Sequence, residues 1–84
     1  MDLVKEVYLV NSKEELVKFV DILRQDLRVN KNAWENPTLE SYLEALSMWI
    51  EDMDGFYANQ GKEMPKNPTW TMFAEILCAA RIQE

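Results

Sequence analysis

The chain has 84 residues, 48% of them hydrophobic and 29% charged, with a net charge of −6, no histidine and one cysteine. A chain this short buries only about 60–65% of the surface its unfolded form exposes, which predicts one domain over residues 1–84 with a small core and little room for a deep catalytic cleft. Without histidine the commonest general base and metal ligand are gone, a lone cysteine makes neither an internal disulfide nor structural zinc, and clustered bases for phosphate are lacking.

Residues 3–10, "LVKEVYLV", mix apolar and charged positions with no decisive period and read as either a short strand or a helical arm. Next, "NSKEEL" places Glu15 three residues after Ser12, the spacing of a capping box, and predicts a helix over about 12–28. Leu16, Phe19, Val20, Leu23 and Leu27 recur at intervals of three and four and give that helix one apolar stripe.

Two segments then begin alike, "NPTLESYLEAL" at 36–46 and "NPTWTMFAEIL" at 67–77. Proline pushes the preceding Asn36 or Asn67 toward extended backbone, as an N-cap requires, and presets the first helical position; the shared text is therefore read as helix-start chemistry used twice. The helices predicted are about 37–53 and 68–81. In the first, Leu39, Tyr42, Leu43, Leu46, Trp49, Ile50 and Met53 form a stripe facing the core or a partner helix. The second is apolar most of the way round and is expected to be the most buried element, with Cys78 as a small core residue. Between them "DGFYANQGKEMPKN" reads as a long loop with one short helical turn near 55–58. The fold class expected is all-α, three main helices plus that turn.

Charge is unevenly placed. Residues 1–34 carry six acids and six bases and residues 55–84 three of each, whereas Glu35, Glu40, Glu44, Glu51, Asp52 and Asp54 stand in 35–54 without a base. Glu40 and Glu44 repel at i, i+4, and Glu51 and Asp52 near the negative end of a helix ending at 53 are also unfavourable. A locally costly acidic face is where binding of a basic partner is sought. A calcium loop was the obvious competing use of Asp52, Asp54 and Glu63, but Phe56 and Tyr57 fall at the loop positions that need an oxygen ligand and glycine, and shifting the register to fit Gly55 makes Ile50 the first ligand.

The segments "WENPTLESYLEALSMWIEDMDGFY" (34–57), "NPTWTMFAEIL" and the final "AARIQE" resemble a family of small, uncharacterised bacterial proteins with a W-E-N-x-T-L-E-x-Y-L-E-A-L segment leading into W-I-x-D-M-D-G-[FY]-Y. The resemblance covers the chain from about Asn11 onward and implies an α-helical bacterial domain, but no activity. In layout alone the chain also resembles colicin-type immunity proteins, which mask basic nucleases. That likeness implies a binding face of Glu44, Glu51, Asp52, Asp54, Phe56 and Tyr57.

The expectation is a soluble, cytoplasmic, non-enzymatic protein with no cofactor, metal, nucleic-acid or membrane partner. It binds a basic protein, in an immunity-like role, through Glu40, Glu44, Glu51, Asp52, Asp54, Phe56 and Tyr57. The rival reading is a homodimer whose acidic face is merely solvated.

Overall fold

The computed structural model describes residues 3–83 and is all-α: α1 (Leu3–Val7), α2 (Lys13–Val29), a 3₁₀ turn (Lys31–Ala33), α3 (Leu39–Asn59) and α4 (Trp70–Ala80). The N-terminal arm is thus helical. Five residues cannot hold a helix in water by themselves. Leu3 and Val7, with Val10 just beyond, are buried and tie α1 to the core.

Local chemistry fixes the helix starts. Ser12 Oγ accepts the Glu15 amide at 3.1 Å, while the Glu15 carboxylate returns to the amide of Asn11, one residue before the cap, at 3.0 Å. In both NPT segments the cap is the threonine, not the asparagine. Thr38 and Thr69 have extended backbone, and their hydroxyls accept the amides of Ser41 (3.1 Å) and Met72 (3.0 Å). Ser41 completes a true capping box by accepting the Thr38 amide at 3.3 Å. Each proline therefore precedes its cap instead of opening its helix.

The separate helical turn expected near 55–58 does not exist as such, because α3 runs unbroken through Gly55 to Asn59. Glycine inside a helix costs about 1 kcal/mol relative to alanine, and burial of Met53 and Tyr57 on either side of Gly55 offsets it. The true stop is Gly61, whose φ of 71° lies in the left-handed region. The Gly61 amide donates to Ala58 O and the Lys62 amide to Tyr57 O, which is a Schellman motif.

As expected, α4 is central: it packs on α1, α2 and α3, whereas α2 and α3 do not pack on each other. Ala74 and Ala80 on α4 are completely buried, their small side chains letting neighbours approach. One core cluster joins α1, Phe19 and Leu23 of α2, Trp34, and Ala74 and Cys78 of α4. Burying Phe19 contributes about 1.5–3 kcal/mol. A second cluster joins Met53 and Tyr57 of α3 to Met72 of α4, flanked by Trp49, Phe56 and Ile76.

The connector between α2 and α3 locks the bundle's end. Trp34 stacks on Tyr42 with ring centroids 5.8 Å apart, and its indole N–H donates to Asp26 at 2.7 Å. The Tyr42 hydroxyl donates to Leu77 O at 2.6 Å. Asn36 donates from its side chain to the oxygens of Ala80 and Gln83, serving as a C-cap for α4 from a distant part of the chain.

Candidate functional site

α3 carries the candidate site, and its helical period decides which of the predicted residues share a face. At about 100° per residue, Glu40, Glu44 and Glu51 fall within about 40° of one another, and Asp54 about 40° beyond Glu40. All four are exposed. Asp52, also exposed, lies about 100° round from Glu51 and belongs to another side. Phe56 sits in a hollow between α1 and α3 with Trp49 and Tyr8, away from the acidic ridge. Tyr57 is buried, and its hydroxyl donates to Glu75 Oε1 at 2.7 Å; it holds α3 to α4. The seven predicted residues therefore do not form one surface. Four carboxylates do.

Among the described residues the ion pairs are Lys13–Glu14 and Arg24–Asp21, both exposed and neither involving α3. Exposed pairs of this kind contribute little. α3 has no basic residue in its last turn either. Because α3 continues to Asn59, Glu51 and Asp52 stand about two turns from its end, where the dipole penalty expected for a helix ending at 53 has faded. The Glu40–Glu44 repulsion remains.

Beside the ridge runs a second feature. Leu39, Leu43 and Ile50 are 74%, 51% and 44% exposed, at i, i+4 and i+11. Leu39, but neither Leu43 nor Ile50, lines a groove that opens between α2 and α3, with a volume of ≈ 320 Å³. Val20, Leu23 and Leu27 form its α2 wall, Leu39 and Tyr42 its α3 wall, and Leu77 of α4 its floor. One turn earlier on α4, Phe73 is also exposed. Burial lifts the Tyr42 phenol to about 12, the neighbouring Cys78 adding to the rise and Arg81 opposing it. Behind Trp34, burial opposes ionisation of Asp26, but hydrogen bonds from Asn30 and Trp34 and the charge of Arg81 outweigh it, so its pKa is lowered.

Residues 12–84 match the model of a family of unknown function, DUF7660. The chain belongs to this family. The DUF7660 match begins at Ser12, the cap of α2, and takes in both NPT segments, the acidic ridge and the groove, while α1 lies before it. No match was found among curated proteins or among solved structures. Among the described residues no helix is long and apolar enough to cross a membrane.

Within the DUF7660 chain, the stripe expected on α3 divides. Tyr42, Trp49 and Met53 join the core clusters shared with α4 and Leu46 is half-buried, while Leu39, Leu43 and Ile50 stay uncovered. Its width was the available signal: with Ala45 and Phe56 the apolar arc spans about 160°, wider than the roughly 100° a helix needs against one core. Nothing in the sequence marks the α2 side of the groove, because Val20 belongs to the same period as buried Phe19 and Leu23.

Proposed function

We propose that this DUF7660 chain is a non-enzymatic module that binds a basic protein through α3, its sharpest form being an immunity- or antitoxin-like role in which the chain masks that partner. One observation carries the reading: Glu40, Glu44, Glu51 and Asp54 form an exposed ridge beside uncovered Leu39, Leu43 and Ile50. Carboxylates without local counter-charge steer a basic surface inward, and adjacent apolar side chains supply the area that holds it. A bacterial, cytoplasmic setting is part of the proposal, since a single buried thiol suits a reducing compartment. The same acids repel phosphate, so the partner is a protein and not a nucleic acid.

The test is affinity capture from lysate with wild type and an E40K/E44K/E51K variant, at low and moderate salt. A basic protein held by the wild type at low salt, released as salt rises and absent from the variant supports the proposal. If that protein is an enzyme, one equivalent of wild type should silence it. Indistinguishable captures by the two proteins would sink the reading. The homodimer is the second reading, favoured by the uncovered leucines alone; a two-fold pairing through α3 sets the ridges against each other, and light scattering decides it.

A further inference from the structure

The hollow between α1 and α3 holds two opposite charges that the acidic ridge does not involve. We infer that it binds a zwitterion of the lysine type, whose side-chain ammonium meets Glu75, whose carboxylate meets Arg81 and whose hydrocarbon chain lies between them on Trp49 and Phe56.

The fold sets the two charges at opposite ends. The hollow has a volume of ≈ 250 Å³, and Cys78 and Ala79 of α4 line it between Glu75 and Arg81. At the Glu75 end, the Tyr57 hydroxyl donates to Glu75 Oε1 at 2.7 Å, and the Tyr57 ring meets Phe56 edge-on with centroids 5.6 Å apart. Tyr8 of α1 stands there too, near enough for its charge to act on the Tyr57 phenol. Arg81 and exposed Ile82 mark the other end, six residues and so about 9 Å further along α4. Trp49, its ring centroid 5.3 Å from that of Phe56, continues the α3 wall.

Neither charge has an ion partner among the described residues, where the ion pairs are Lys13–Glu14 and Arg24–Asp21. The carboxylate of Glu75 is engaged through Oε1 and keeps Oε2 for a further donor. Arg81 is half-buried, and its Nε is buried without an acceptor. Buried donors seldom stay unpaired, and a carboxylate is the acceptor whose two oxygens match a guanidinium fork. Asp26 feels the charge of Arg81 but is already taken on both oxygens, by Asn30 at 2.9 Å and by Trp34 at 2.7 Å.

These charges fix the occupant. A ligand that is only a cation is repelled by Arg81, and one that is only an anion is repelled by Glu75. A ligand with both satisfies the two ends, while the rings of Tyr8, Trp49 and Phe56 accept methylenes and the ammonium. Ends about 9 Å apart favour a ligand whose own charges are held apart by a hydrocarbon chain, as in lysine, over one that carries both on a single carbon. Free lysine and the C-terminal lysine of a protein offer this same chemistry.

The probe is 6-aminohexanoate, titrated into nitrogen-15-labelled protein. Each of the three tryptophans gives its own indole signal. That of Trp49 should move and that of Trp70, which does not line the hollow, should not. Hexylamine, hexanoate and glycine should bind at least about tenfold more weakly, each lacking one charge or the chain between them. E75Q keeps an acceptor for the Tyr57 hydroxyl and R81Q keeps the main-chain oxygen of residue 81; each should weaken 6-aminohexanoate at least about tenfold with the thermal midpoint little changed. Should a variant unfold, the one-charge ligands on wild type still decide. Nα-acetyl-lysine binding as tightly as lysine assigns the site to a C-terminal lysine, and a clear preference for lysine assigns it to the free amino acid. No movement of the Trp49 signal, hexylamine or hexanoate binding as well as 6-aminohexanoate, or full affinity in folded E75Q and R81Q overturns the inference. The E40K/E44K/E51K variant should bind 6-aminohexanoate as wild type does, so this site and the acidic ridge stand or fall separately.

Discussion

The side-chain amide of Asn36 donates to the main-chain oxygen of Ala80 at 3.0 Å, joining positions 44 apart in sequence. The same amide reaches Gln83 O at 2.6 Å, and the main-chain amides of Glu35 and Asn36 both donate to Arg81 O. The carbonyls at the end of α4, which no helical partner can satisfy, are thus met by the connector that leads into α3. Asn67, at the matching place in the second NPT segment, is exposed.

Asn36→Ala should therefore cost about 1–3 kcal/mol, because it leaves carbonyls at a packed helix end without donors. Asn67→Ala should cost less than about 0.5 kcal/mol, as surface changes usually do. Urea denaturation of the two variants side by side is the check. Equal losses would mean that the two asparagines do the same job, contrary to the structure.

The two glycines should respond in opposite directions. A methyl group at Gly55 meets nothing within 4 Å, and the residue is in mid-helix, so Gly55→Ala should raise stability by about 0.5–1 kcal/mol. Gly61 has equal space but a φ of +71°, which costs an L-residue roughly 1–2 kcal/mol, and Gly61→Ala should lower stability by about that much. Thermal midpoints of the pair decide the matter, and a stabilising Gly61→Ala would show that the helix does not end as described.

These positions show what could be read from the sequence and what could not. Helix existence was legible because Leu16, Phe19 and Leu23, or Tyr42, Leu46, Trp49 and Met53, keep a helical period that any stable packing must respect. The end of α3 was not, because Gly55 and Gly61 are equally good stop signals locally and only burial of Tyr57 under Glu75 and Met72 decides between them. The spacing of Trp49, Met53, Phe56 and Tyr57 carries the helical period past Gly55 and marks the longer helix. Among the site residues, the carboxylates were legible as exposed charge. The assignment of Tyr57 to the surface was not sound, since an aromatic at helical spacing from Met53 is a core residue before it is a contact. Asn36 was out of reach, because its partners lie at the far end of the chain.

At acid pH the Trp34–Asp26 contact should report itself. Asp26 is held below its ordinary 3.8 by hydrogen bonds from Asn30 and Trp34 and by Arg81, against the opposing effect of burial. A carboxylate whose folded pKa lies below its unfolded one contributes stability that is complete above 3.8 and is lost as pH falls through the folded value. Asp26→Asn removes that titration while retaining an acceptor for the indole. Urea midpoints measured downward from neutral pH should fall less steeply in the variant than in the wild type, with Trp34 emission following the same curve; parallel curves would show that the contact does not govern the acid limb.

At alkaline pH the sign reverses. The phenols of Tyr42 and Tyr57 are both pushed up to about 12, each first by burial and Tyr57 further by its hydrogen bond to Glu75 and that carboxylate's charge. A folded pKa above the ordinary 10.0 means that the neutral phenol is favoured by folding. Its contribution is complete below 10 and is lost as pH rises through about 12. In a Tyr8→Phe background only these two of the three tyrosines remain. Their phenolate absorbance should then appear well above pH 10 and alongside the loss of the far-ultraviolet helix signal, because burial opposes ionisation of either ring while α3 and α4 stay joined. Adding Tyr57→Phe should make the alkaline loss shallower and lower stability at neutral pH by about 0.5–1.5 kcal/mol, the ordinary net worth of a hydrogen bond. Phenolate appearing near pH 10 with the helix signal intact would show that the Tyr57–Glu75 bond does not hold in solution.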